Sequence, residues 1–331
     1  MLVNTIKITV CKVILALSAG VLSAHSVLAD RSLAEDSRFE LIRLSVDKSA
    51  TQLATEYLDD HVDAWQISEL NGRTSFRAGD IVSLPKTPVN PTGVYANRTR
   101  SIPILCYHQF TAGQQAERRL EVSADNFERQ MAFLAESGFH VISLKKLSQI
   151  LQGKTAIPPR AVVLTIDDGY RSVYTQAYPI LKKYGFSATL FVYTDFIGGS
   201  AALSWQQIKT MNDSGVIDVG SHTKTHASLA FDPQQETADE HQRRIIMEID
   251  GAAKALKKRL NLKPSLLAYP YGDSSPYVVD YLASKHYDLA ATVKRGDNMT
   301  YADPLLLQRT MIYNHHSLSD FKKLLSPSRY E

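Results

Sequence analysis

From residue 102 onward, short apolar runs alternate with amphipathic stretches along the chain. The runs fall at 102–107, 140–142, 161–166, 188–193, 217–220, 265–269, 289–293 and 308–313. Between them, apolar residues three and four apart predict helices over 124–136, 173–184, 205–212, 233–260, 277–285 and 319–325. In the first of these helices Ser123 is a cap, Phe127, Met131 and Leu134 form a stripe, and Gly138 is a stop. Strands apolar on both faces and separated by helices predict a parallel α/β sheet or barrel. The absence of a repeat of roughly 20–50 residues argues against a solenoid.

Ahead of this region, residues 39–85 read as a compact βααβ unit. It comprises an apolar run at 39–46, helical stretches at 50–57 and 64–70, the turn Asn71-Gly72, and a second apolar run at 81–85. Residues 86–101, with Pro88, Pro91 and Gly93 and few apolar side chains, have the composition of a linker. At the N-terminus, Lys7 and Lys12 precede an apolar run at 13–22 and the small-residue site Val27-Leu28-Ala29, so residues 1–29 read as a secretory signal. The run is short of the roughly 20 residues of a membrane span. A secreted, periplasmic or envelope-associated protein with no stable membrane insertion after cleavage is therefore expected.

Composition narrows this picture only a little. With 44% hydrophobic and 21% charged residues the chain is ordinary for a globular protein, and a net charge of +3 gives no sign of a nucleic-acid binder. Its two cysteines are Cys11, inside the predicted signal, and Cys106. The mature chain would form no internal disulfide, and Cys106, in an apolar run, is expected to be a buried structural thiol.

Three segments carry chemistry. Leu164-Thr165-Ile166-Asp167-Asp168-Gly169-Tyr170 is a strand that ends on two carboxylates and a glycine, and ligands gather at the carboxyl ends of strands in parallel α/β folds. Val219-Gly220-Ser221-His222-Thr223-Lys224-Thr225-His226 sets two histidines four apart. That spacing puts both imidazoles on one face of a helical turn, suited to a divalent ion. With a strand-end carboxylate the pair completes an Asp-His-His set that leaves positions open for water and substrate, as catalytic zinc requires. Leu267-Ala268-Tyr269-Pro270-Tyr271-Gly272 closes a third strand, by itself an ordinary turn.

In this order and spacing the three segments resemble the polysaccharide deacetylases, the carbohydrate esterase family 4 or NodB-like group. The resemblance extends over residues 102–326 and implies a distorted (β/α) barrel. It implies that Asp167 is the catalytic base and that Asp168, His222 and His226 bind a divalent metal, zinc first, with cobalt, nickel or iron as alternatives. The family's Arg-x-Pro-Tyr motif is Ala268-Tyr269-Pro270-Tyr271 here, so the backbone N–H of Tyr271 remains to face the oxyanion while the Arg that tethers the base must come from elsewhere. Arg309, in Leu307-Gln308-Arg309-Thr310, and Arg295 are the candidates.

The family's C-terminal Leu-x-His, the source of the general acid, is also missing, since His315-His316 lack that context. His108, at the end of Ile104-Leu105-Cys106-Tyr107-His108, takes its place. It does so as in the poly-N-acetylglucosamine deacetylase branch, where the equivalent motif lies ahead of the Asp-Asp segment. That branch also shares the look of Leu203-Ser204-Trp205 and of the Arg-free Tyr-Pro-Tyr-Gly. Tyr170, Trp205, Tyr269 and Pro270 are expected to face substrate. Residues 39–85 resemble a LysM carbohydrate-binding module through Trp65 to Gly72 and Ala78 to Pro85, although Ser45 to Ser49 lacks the usual Gly-Asp turn. Together these resemblances imply a metal-dependent hydrolase that removes N-acetyl groups from a glycan containing N-acetylglucosamine, either peptidoglycan or poly-N-acetylglucosamine. O-acetyl hydrolysis on a xylan-type glycan and an inactive wall-binding protein are the alternatives.

Overall fold

The computed structural model describes residues 29–58, 61–86 and 99–325. Residues 1–28 of the predicted signal and 87–98 of the predicted linker lie outside the described residues. The chain divides into two compact units between Thr87 and Pro88.

In the first unit β1 (Arg31–Glu35), β2 (Phe39–Arg43), β3 (Lys48–Ser49), α1 (Ala50–Tyr57), α2 (Ala64–Asn71), β4 (Ser75–Phe76) and β5 (Ile81–Pro85) follow in order. β2 and β5 pair antiparallel, Leu41 opposite Ser83, and α1 and α2 intervene in sequence. β1, which hydrophobic patterning did not suggest, adds a third, fully exposed strand. Ile42, Leu53, Ile67 and Val82 fill the core. Ser49 and Gln52 form a capping box that starts α1. Asp30 ties the 45–48 turn by accepting from Ser45 N at 2.8 Å, Lys48 Nζ at 2.6 Å and Tyr57 Oη at 2.8 Å.

The second unit begins with β6 (Ser101–Tyr107), β7 (Gln109–Thr111), β8 (Glu121–Ser123), α3 (Ala124–Glu136), β9 (His140–Val141), α4 (Leu144–Leu151) and β10 (Ala161–Ile166). It continues through α5 (Tyr178–Tyr184), β11 (Ala188–Val192), α6 (Trp205–Asp213), β12 (Ile217–Ser221), α7 (Ala238–Leu260), β13 (Leu266–Ala268) and α8 (Pro276–Ser284). The last elements are β14 (Leu289–Ala291), β15 (Asp297–Met299), β16 (Thr310–Met311) and α9 (Leu318–Leu324). Parallel strands run in the order β14-β13-β12-β11-β10-β6, and β16 continues the sheet parallel to β6. A bridge between Ala291 and Leu307 joins the 304–311 segment to β14, so this segment spans the gap between the two edges. The result is a distorted (β/α) barrel.

Every residue of β10 is buried, as a parallel strand covered on both faces requires. Its side chains alternate: Val162, Leu164 and Ile166 pack outward under α3, α5 and α6. Ala161 and Val163 point inward with Ile102, Ile104, Phe191, Leu266, Leu289 and Leu307. Gly220 is required here, because a Cβ would stand 2.5 Å from the Phe191 ring.

Three elements differ from the patterning. The predicted helix at 173–184 opens with a π-helical turn, Val173–Ala177, because Pro179 has no N–H to donate to the carbonyl one α-turn back. The predicted 233–260 helix starts at Ala238, where Thr237 and Glu240 form a capping box. α4 was not expected, although its Leu144, Leu147 and Ile150 form a regular stripe that packs against the inward-facing cluster.

Candidate active site

Inward-facing positions of the strands turn polar at their carboxyl ends. On β10 the alternation that buries Val163 continues through Thr165 to Asp167. The peptide N–H of Asp167 donates to Tyr107 O at 2.9 Å, which registers it against the end of β6. Asp167 is 1% exposed, and its partner Arg309 is 0% exposed. Arg309 donates through Nη1 to Oδ1 at 2.8 Å and through Nη2 to Oδ2 at 2.7 Å. Its Nε donates to Thr292 O at 2.8 Å, and Nη1 also reaches Thr165 Oγ1 at 3.2 Å. Burial works to raise the Asp167 carboxyl, but the guanidinium, with His222, holds it well below the usual carboxylate range. Arg309 thus keeps a buried carboxylate ionised. Arg295 is exposed and takes no part.

The next residue turns away. Asp168 has a φ of 75° and Gly169 one of 97°, so both adjacent carboxylates open on the same end of the barrel. Asp168 Oδ1 lies 3.6 Å from His222 Nε2 and 3.5 Å from His226 Nε2. The three ligand atoms are all within 4.8 Å of one another. A four-coordinate ion with bonds of about 2.0–2.1 Å sets its ligand atoms roughly 3.3–3.4 Å apart. The spacing fits a small divalent ion. The tautomer also fits: His222 Nδ1 is 2.8 Å from Ala268 O and donates to it, leaving Nε2 with its lone pair.

Electrostatics point the same way. Burial, then the charge of Asp167, pushes the Asp168 carboxyl up to about 7. Burial, against the pull of Asp167, lowers His222 to about 4 and also lowers His226. Two neutral imidazoles beside a carboxylate that resists ionisation are a donor set that a cation would satisfy.

The two histidines are not on a helical turn. They sit in an irregular loop after β12, in which Thr223 has φ 69° and His226 φ 68°. Their convergence comes from Glu248 on α7, wholly buried, which accepts from Lys224 N at 3.0 Å, Thr225 N at 2.8 Å and Thr225 Oγ1 at 2.6 Å. Tyr271, at φ 61°, is another left-handed residue at this end. Each such non-glycine conformation costs on the order of 1–3 kcal/mol, and Asp168, Thr223, His226 and Tyr271 concentrate it around one cleft.

His108 follows β6, is 7% exposed, and its Nδ1 has no hydrogen-bond partner. Burial lowers its pKa, while the charge of Asp167 opposes that shift. Cys106 is wholly buried, and burial raises its thiol well above the usual range. Cys106, His108 and Asp167 are also spaced as metal ligands. There, however, the guanidinium of Arg309 already engages both carboxylate oxygens, which disfavours a cation.

Tyr271 is 64% exposed, with its ring 4.8 Å from that of His226. Tyr193 lies 5.1 Å from the other side of the loop histidine and stacks on Phe196, against which Tyr170 also packs. Tyr193, Phe196 and Glu248 were not expected at the site, and the signal for the two aromatics was their place just after β11.

Two expected substrate contacts are corrected. The Tyr269 side chain is wholly buried and its hydroxyl donates to Leu305 O at 2.7 Å, so it packs in the core beneath the cleft. Pro270 is likewise buried, as the start of the turn that carries Tyr271. Trp205 sits half-buried at the start of α6, its ring packed against the main core cluster and under Arg259 at 6.0 Å.

Residues 154–290 match the polysaccharide deacetylase family model. YxkH of Bacillus subtilis is 28% identical over 204 residues, 61% of this chain and 68% of that protein. The poly-beta-1,6-N-acetyl-D-glucosamine N-deacetylase of Escherichia coli is 24% identical over 252 residues, 66% of this chain and only 37% of the relative. Among solved structures, the Streptococcus pyogenes deacetylase PplD in complex with acetate superposes with a TM-score of 0.61 at 28% identity, covering 69% of this chain and 99% of that one. The fold is that of the polysaccharide deacetylases, and these matches support a deacetylase enzyme, with the family model matched over residues 154–290.

Proposed function

We propose that this protein is an exported, metal-dependent N-deacetylase acting on a polysaccharide that contains N-acetylglucosamine. The observation that carries the reading is the convergence of Asp168, His222 and His226 beside an ionised, Arg309-held Asp167. Asp168, His222 and His226 would hold the ion. When bound, zinc or a similar divalent ion polarises an acetyl carbonyl and acidifies a water.

The chain's own residues supply the remaining needs of amide hydrolysis. Asp167 accepts the proton of the attacking water, and Arg309 keeps it oriented and charged for that task. The backbone N–H of Tyr271 donates to the oxyanion that develops on the acetyl oxygen. His108, close to Asp167 and with an unpartnered Nδ1, delivers a proton to the departing glucosamine nitrogen. Acetate and a free sugar amine leave. The aromatic wall of Tyr170, Tyr193 and Phe196 would line the path of the glycan. The first unit is proposed as a LysM-like glycan-binding module, and residues 1–29 as its export signal. No helix among the described residues is long and apolar enough to cross a membrane.

The test is acetate release from chitin oligomers, poly-N-acetylglucosamine, peptidoglycan and acetylxylan, with bound metal measured on the same samples. Release from an N-acetylglucosamine polymer that tracks metal content supports the reading. Release from acetylxylan alone transfers the activity to O-esters, and no release with retention on peptidoglycan makes the protein a binding module.

A further inference from the structure

Beside the catalytic loop lies an open cavity of about 360 Å³, lined by Arg171, Gly198, Gly199, Ala202, Ser204 and Gln207. This is the lower end of the roughly 300–1,000 Å³ usual for small-molecule sites, room for one sugar substituent. The cavity is built directly on the site. Arg171 follows Asp168 by three residues, Tyr170 bridges to Ala202, and Leu203 N donates to Gly169 O at 2.9 Å.

The only charged side chain in the lining is Arg171. It makes one long contact, from Nε to Ala202 O at 3.4 Å, and among the described residues no carboxylate pairs with it. The acid on the same loop, Asp195, is already tied to Lys224 at 2.5 Å. A second exposed arginine, Arg118, lies within electrostatic reach of the Tyr170 hydroxyl and also has no acidic partner among the described residues. Its neighbour Arg119 is instead laid over the Tyr313 ring at 4.7 Å. Arg171 therefore stands uncommitted in the lining, with Arg118 within electrostatic reach of Tyr170.

We propose that this cavity is a subsite for an anionic substituent, a carboxylate or a phosphate, on a sugar adjoining the one that is deacetylated. Arg171 receives the anion and Arg118 adds to the field that draws it in. The proposal rests on the deacetylase reading and sharpens its substrate: the enzyme prefers an acid-bearing glycan over a neutral or cationic one.

The test compares kcat/KM for acetate release from three glycans: a neutral N-acetylglucosamine oligomer, a strand that alternates with N-acetylmuramic acid, and a phosphate-bearing N-acetylglucosamine glycan. In the wild type, the ratio of acid-bearing to neutral substrate is expected to exceed one and to fall with added salt. In Arg171→Gln that ratio should drop about tenfold, mainly through KM, with partial recovery in Arg171→Lys and a smaller drop in Arg118→Gln. The acid-bearing glycan with the larger ratio identifies carboxylate or phosphate as the group received. A wild type that prefers the neutral oligomer, or a ratio unchanged in Arg171→Gln, overturns the proposal. If no substrate yields acetate, the deacetylase reading fails by itself. Calorimetric binding of the same glycans then decides: about tenfold weaker binding of the acid-bearing glycan by Arg171→Gln upholds the subsite, and equal binding removes it.

Discussion

The two ends of the barrel interior are built from the same strands, two residues apart, and hold opposite chemistry. At the amino end Ile104, Val163 and Leu307 belong to one apolar cluster. One inward step further along each strand stand Cys106, Thr165 and Arg309, and one step beyond the first two stand His108 and Asp167. Strand periodicity delivers both layers to the interior. The lower layer excludes water and fixes the register, while the upper layer concentrates charge that only that fixed register could hold in place.

The comparison predicts that substitutions in the upper layer change chemistry, and stability as well where they strand a buried charge, whereas those in the lower layer change stability alone. The largest effect is expected for His222→Ala, which should abolish stoichiometric zinc and lower acetate release by at least about 10³-fold; retained zinc by elemental analysis would break the assignment of ligands. Next is Arg309→Met, which strands Asp167 as a buried unpaired charge and should cost about 3–5 kcal/mol in urea unfolding. Adding Asp167→Asn to it should restore much of that loss, because the uncompensated charge is gone.

Metal affinity gives a third, smaller effect. The Asp168 carboxyl, pushed up to about 7 by burial and Asp167, must shed a proton to bind the ion, whereas His222 at about 4 is already neutral. Zinc affinity should therefore weaken about tenfold per pH unit below 7 and level off above it, as measured by competition with a chelating dye. The smallest effect belongs to the lower layer. Ile104→Val should cost about 0.5–1.5 kcal/mol in stability and leave metal content and KM as they were.

The legible part of this site is the part carried by short contiguous runs. β10 is six buried residues ending on Asp167, Asp168 and Gly169, and both its extent and the acids at its end follow from hydrophobicity and a glycine. The two histidines four apart suggested a shared ion, but through a helix that does not exist. Their actual support, the buried carboxylate of Glu248, lies more than twenty residues away inside an ordinary amphipathic helix, where nothing local marks it. Arg309 was one of two candidate tethers. Choosing between them required knowing that the 304–311 segment bridges β14 to β6, a long-range pairing that no local pattern encodes. Tyr269 failed for a related reason: an aromatic at a strand end reads alike whether it faces the cleft or, as here, the core. The cavity at Arg171 was equally hidden, since it depends on the bridge between Tyr170 and Ala202, far apart in sequence.

The central claim is that Asp167, ionised by Arg309, is the base beside an ion held by Asp168, His222 and His226. The most direct measurement is acetate release from an N-acetylglucosamine oligomer by wild type and Asp167→Asn, with bound zinc quantified in each preparation. The account predicts a fall of about 10³-fold or more at unchanged zinc stoichiometry. Activity near that of the wild type in a fully metallated Asp167→Asn protein would contradict it.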